Sequence, residues 1–168
     1  MKCSAGNQPT VYEDHPYDIS IEVAVEAPNL NTEAMHHLAV RVMKGENIDA
    51  GASLAILVTN DDEIRRMNHQ FLGIDEPTDV LSFPDEVDDF VQGMSDEQLL
   101  GDIAISLPTA MRQADEAGHP LESEIAHLLT HGILHLCGYD HVNSVEEEAR
   151  MRAREEHYLG DLRLVHRH

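Results

Sequence analysis

A chain of 168 residues with 42% apolar side chains is long enough to bury one core and short for more than one domain. Its 32 acidic against 11 basic residues, a formal charge of −21, exclude a generic nucleic-acid coat, because such a surface repels phosphate. Two distant cysteines, Cys3 and Cys137, exclude a disulfide scaffold, and no apolar run is long enough for a membrane span, so a soluble, cytoplasmic protein is expected.

With 4% aromatic residues and no Trp, the core must be built from Leu, Ile, Val, Ala and Met. Residues 1–17 lack periodicity and read as a loose arm. One domain is expected over 18–160, followed by a tail, 161–168. Ile19, Ile21, Val23 and Val25 alternate with Ser20, Glu22, Ala24 and Glu26, the period of a half-buried strand. Beyond Asn31, the spacing of Met35, Leu38, Ala39, Val42 and Met43 predicts an amphipathic helix ending near Gly45. Leu54 to Thr59 reads as a buried strand. Asn60, with Asp61, Asp62 and Glu63, caps a helix reaching about Phe71 and stopped by Gly73. Val80 to Phe83 forms a short strand whose expected partner is Asp102 to Leu107. The carboxylate-rich segment between them, Asp85 to Glu97, reads as a solvated excursion. Pro108 opens a helix through about Ala117, a second begins near Leu121, and Ser144 caps a final one from Val145 to about Leu159.

The helix from Leu121 carries His127-Leu-Leu-Thr-His131-Gly-Ile-Leu-His135-Leu-Cys-Gly138-Tyr-Asp-His141. His131 and His135 stand one turn apart on one face, where two imidazoles can share an ion. Gly138 can end the helix in a left-handed turn and bring His141 back toward that face. Three neutral imidazoles leave one tetrahedral position on zinc open, and water bound there ionises near neutral pH. The ligands are therefore read as His131, His135 and His141, with one zinc per chain, although another divalent metal also suits nitrogen ligands. His127 lacks the exit turn and reads as a packing or supporting residue.

The segment matches the zinc-peptidase pattern His-Glu-x-x-His-x-x-Gly-x-x-His at its histidines and glycine. Position 132 is Gly, so the carboxylate that activates water in such peptidases is missing. The general base stays open between Asp140 and a residue outside the motif.

Residues 131–141 resemble the signature His-Gly-x-Leu-His-Leu-x-Gly-Tyr-Asp-His of the YbeY family of bacterial endoribonucleases. Asp75-Glu-Pro-Thr78-Asp79-Val-Leu-Ser82-Phe-Pro84 and Leu100-Gly101-Asp102-Ile103 match two further family blocks. The resemblance implies a single α+β domain with a small mixed sheet packed with helices and a zincin-like metal-binding helix. It implies metal-dependent cleavage of single-stranded RNA in maturation of the small-subunit ribosomal RNA 3′ end and in ribosome quality control. The implied partners are ribosomal RNA and the small ribosomal subunit, with neither DNA nor membrane. By family position Thr78, Asp79 and Ser82 line or support the site, although turn and strand packing explains them equally.

One departure concerns phosphate. The family usually carries Arg in Phe/Tyr-Arg-Gly-x-Asp, whereas this chain reads Phe71-Leu72-Gly73-Ile74-Asp75, and Leu72 cannot bind phosphate. Arg65 and Arg66 read as ordinary helix-surface charges. Arg150, Arg152 and Arg154, among Glu146 to Glu148, Glu155 and Glu156, read as a solvated, salt-laced face. Two rival readings stand beside the nuclease: a peptidase or amidase using the same ion, and a non-enzymatic ribosome-assembly factor with structural zinc.

Overall fold

The computed structural model describes residues 17–28, 30–84, 98–139 and 145–160. Residues 1–16 of the expected arm 1–17, the acidic segment 85–97, the segment 140–144 and the tail from 161 lie outside the described residues, and with them the predicted cap Ser144.

Nine elements follow in order: β1 (Asp18–Val23), α1 (Thr32–Gly45), β2 (Ala52–Thr59), α2 (Asp61–Leu72), β3 (Val80–Pro84), β4 (Gln98–Ser106), α3 (Leu107–Ala117), α4 (Leu121–Leu136) and α5 (Val145–Leu159). The local signals explain most boundaries. Asn31 accepts a hydrogen bond from the Ala34 N–H, and Asn60 accepts one from Glu63, each satisfying a donor orphaned in a first helical turn. Gly73 ends α2 at φ 75° and Gly118 ends α3 at φ 75°, the left-handed caps that glycine adopts without a steric penalty.

The four strands form one mixed sheet of order β1-β2-β4-β3. β1, β2 and β4 run parallel, and β3 pairs antiparallel with β4, placing Ser82 opposite Ile103 and Phe83 opposite Asp102. The predicted partnership of the third and fourth strands is met, but β4 starts earlier than the pattern suggested, at Gln98. Gly101, at φ 151°, hides that extension from a propensity reading. A Cβ there would stand 2.5 Å from the Phe83 carbonyl oxygen and 2.8 Å from Leu136 Cδ2, so only glycine lets β3, β4 and the end of α4 converge. Leu107 belongs to α3, not to the strand, because Ser106 supplies the cap.

One face of the sheet carries the main core. Leu54, Ile56, Val58, Ile103 and Ile105 pack with Val42 and Met43 of α1, Leu129, Ile133 and Leu134 of α4, and Met151 and Tyr158 of α5. A smaller cluster of Ile64, Leu81 and Ala104 joins α2 to the opposite face. β2 was expected to be buried throughout; Ala55 is exposed because α2 covers only part of that side. Among the described residues, no helix is long and apolar enough to cross a membrane. The expected α+β domain with a small mixed sheet and an apolar histidine-bearing helix is therefore what the chain adopts.

Candidate metal centre

α4 places its apolar side against the sheet, with Ile125, Leu128, Leu129, Ile133 and Leu134 buried. His127, His131 and His135 recur every four residues along a neighbouring stripe. Their rings follow one another, with centroids 6.1 Å apart for His127 and His131 and 4.9 Å for His131 and His135. The helix ends as the glycine predicted: Gly138 has φ 107°, and the Tyr139 N–H returns to the Leu134 carbonyl at 3.1 Å. His141 and Asp140 follow that turn and lie outside the described residues.

The sequence reading missed Glu155. It was grouped with the solvated charges of α5, yet it is 4% exposed, between the buried Met151 and Tyr158 of the same helix. Its position on that buried stripe, at i+4 and i−3 from two core residues, is the signal that could have found it. One carboxylate oxygen lies 2.7 Å from His131 Nδ1 and the other 3.4 Å from His127 Nε2. Burial alone would raise this carboxyl, but hydrogen bonding and charge from His127 and His131 more than offset it and hold it at about 2. The carboxylate is then ionised and can only accept, so His131 Nδ1 is the donating nitrogen, and whenever the ring is neutral its lone pair lies on Nε2. An imidazole held this way has the tautomer and ring orientation of a metal ligand backed by a carboxylate.

Ligand atoms of His127, His131 and Glu155 lie within 4.8 Å of one another, a group able to hold a metal ion. The closest pair argues for a hydrogen bond instead: two donors on one tetrahedral zinc, each at ~2.1 Å, stand ~3.4 Å apart, well beyond the 2.7 Å between Glu155 and His131 Nδ1.

Position 132 lies against the sheet. A Cβ on Gly132 would stand 3.1 Å from Ile103 Cδ1, so any side chain there enters the packing between α4 and β4. Ser82 sits opposite Ile103 in the β3–β4 ladder, and opposed residues project to the same face, so Ser82 faces α4. Asp79 serves the turn into β3, its carboxylate accepting from the Val80 N–H at 2.7 Å and from the Thr78 hydroxyl at 3.3 Å. Cys137 has a free thiol that burial, with the nearby Glu46 carboxylate, pushes up to about 12, so it stays protonated at neutral pH.

The arginines near the predicted site are paired. Arg65 clasps Asp75 through Nε at 2.8 Å and Nη2 at 3.3 Å, and Arg66 pairs with Glu63. Leu72 is 57% exposed. On α5 the salt-laced face holds for Arg150 with Glu147 and Arg152 with Glu148, whereas Arg154 turns inward to Glu46.

Comparison with known proteins agrees with this architecture. The family model described as endoribonuclease YbeY matches residues 20–163. The chain is 42% identical over 145 residues to the endoribonuclease YbeY of Chloroflexus aurantiacus, covering 85% of this chain and 94% of that protein. It is 44% identical over 125 residues to that of Roseiflexus castenholzii, covering 74% and 79%. The solution structure of TM1509 from Thermotoga maritima superposes with a TM-score of 0.56 at 30% identity, covering 86% of this chain and 91% of that one. The chain belongs to the endoribonuclease YbeY family.

Proposed function

We propose that this protein is a zinc-dependent endoribonuclease that cleaves single-stranded RNA, with His131, His135 and His141 as its metal ligands. The observation that supports this reading best is the Glu155 hydrogen bond to His131 Nδ1, which leaves the lone pair on Nε2 of a ring standing 4.9 Å from that of His135. His127 then braces Glu155 from the other side and is not itself a ligand. The residues fit a zinc ion: two imidazoles one helical turn apart, one of them hydrogen-bonded to a buried carboxylate through Nδ1, and a third histidine in the following segment. When bound, the ion supplies a Lewis acid and a water that ionises near neutral pH. The chain's own work is to hold the ligand rings and to bring RNA against a formal charge of −21. Arg65 and Arg66 are engaged by carboxylates, so the ion supplies positive charge at the site that these two side chains do not.

The family resemblance supports small-subunit ribosomal RNA, processed at its 3′ end, as the substrate, the small ribosomal subunit as partner and ribosome quality control as the wider task. The working unit is the domain 18–160, flanked by an arm, 1–17, and a tail, 161–168, in the cytoplasm. A peptidase is disfavoured because position 132 is Gly and supplies no carboxylate to activate water.

The test is cleavage of a labelled single-stranded RNA by metal-quantified protein, with chelator and His135→Ala as controls. Cutting that requires both zinc and His135 supports the nuclease. A wild-type protein that carries one zinc and leaves both free RNA and small-subunit RNA intact would be a structural-zinc assembly factor instead.

A further inference from the structure

Glu46, just beyond α1, is the centre of a second, half-buried polar cluster. Its side chain is 8% exposed. Oε1 accepts from the Tyr139 hydroxyl at 2.9 Å; Oε2 accepts from Arg154 Nε at 2.9 Å and from the Tyr158 hydroxyl. Arg154 Nη2 also donates to the Tyr158 oxygen at 2.8 Å. The Arg150 guanidinium lies 5.1 Å from the centre of the Tyr139 ring, so this tyrosine is held at its hydroxyl and over its face. Burial and the Glu46 carboxylate push Tyr158 up to about 12, which keeps it a donor at neutral pH. The fold makes room for the cluster: a Cβ on Gly45 would stand within 2.7 Å of Tyr158 Cζ.

Three elements meet at this carboxylate, and two of them carry the metal centre. Tyr139 is the fourth residue after His135, at the exit of α4. Arg154 and Tyr158 flank Glu155 on α5. A displacement of α5 by a fraction of a hydrogen-bond length would move Glu155 relative to His131, and the 2.7 Å contact tolerates little of it.

We infer that Glu46 is a positioning residue for the metal centre, clasping the end of α4 through Tyr139 and the register of α5 through Arg154 and Tyr158, and thereby setting zinc affinity without touching the ion. The inference rests on the zinc reading proposed above. Direct partners of metal ligands shift affinity by roughly ten- to a hundredfold; acting one step further out, Glu46→Gln is expected to weaken zinc binding about tenfold.

The experiment is a zinc titration against a chromophoric chelator with full-length wild type, Glu46→Gln, Tyr139→Phe, their double mutant and His135→Ala, alongside the thermal midpoint of each metal-free protein. Glu46→Gln and Tyr139→Phe should each bind zinc more weakly, and the double mutant should lose less than the product of the two, because both break one contact. Should Glu46→Gln not fold, Tyr139→Phe carries the test alone, since it removes a single hydroxyl. Lowered midpoints with zinc affinity equal to wild type would reduce the cluster to packing and overturn the inference. If His135→Ala itself kept wild-type affinity, the zinc reading would fail first, and the inference with it.

Discussion

The Glu155 carboxylate accepts a 2.7 Å hydrogen bond from Nδ1 of His131, a residue 24 positions earlier in the chain and on a different helix. That one contact fixes which nitrogen of an imidazole on α4 donates, and it ties α5 to the candidate metal centre.

Replacing Glu155 by Gln should therefore weaken zinc binding by roughly ten- to a hundredfold, because a neutral amide holds the Nδ1 proton less firmly and can rotate an N–H toward the ring. Competition titration with a chelator measures it. Affinity unchanged from wild type would show that the carboxylate does not orient His131.

Restoring the peptidase glutamate should not restore peptidase chemistry. Gly132→Glu places a carboxylate against Ile103 in the buried seam between α4 and β4, and an unpaired buried charge costs about 3 kcal/mol or more. Gly132→Ala should fall within ~1 kcal/mol of wild type, since its helix preference offsets tight contacts. Urea denaturation of the three metal-free proteins gives the order; a Gly132→Glu protein as stable as wild type would mean that the seam is open.

Leu72→Arg should strengthen RNA binding at little cost in stability, because position 72 is 57% exposed. One added phosphate contact on single-stranded RNA steepens the salt dependence of log K by roughly 0.7. Binding isotherms at several salt concentrations test this, and an unchanged slope would place position 72 away from the RNA path.

Acid should selectively remove the contribution of Asp61. This carboxylate joins the start of α2 to α3 through Ser106, Thr109 at 2.6 Å and Arg112 at 3.2 Å. Burial would raise its pKa, but these hydrogen bonds more than offset that and hold it below the usual 3.8. A carboxyl lowered in the folded state stabilises fully above its unfolded pKa and loses that stabilisation as pH falls through the folded one. Asp61→Asn should cost about 1 kcal/mol at pH 7, and the gap to wild type should narrow well below pH 4. Denaturation midpoints at both pH values, with chelator present, measure the gap; a constant gap would mean that the charge of Asp61 is immaterial.

Gly45→Ala bears on the Glu46 cluster. The added methyl meets the Tyr158 ring, and overpacking of this kind costs ~1–3 kcal/mol. A thermal melt that matches wild type would show that Tyr158 can move aside freely.

Much of this protein was already determined by neighbours along the chain. His131 and His135 share a helix face because the helix repeats every 3.6 residues. Asn31, Asn60, Gly73 and Gly138 mark helix ends because capping and positive φ depend on a few adjacent residues. The alternation in β1 and the apolar stripe of α1 are equally local. Tertiary structure decided the rest: that β4 extends past Gly101 along β2 and pairs with β3 from Gly101 onward, that Arg65 is spent on Asp75, and that position 132 faces Ile103. It also decided that Glu155 and Glu46 anchor elements distant in the chain. Glu155 meets histidines on another helix, and Glu46 meets side chains 93 and 112 positions away. Local periodicity reports which face of an element is apolar, but not which residue of a distant element stands across from it. A carboxylate withdrawn from water needs such donors, and where they come from distant elements its role becomes visible only when the faces have met.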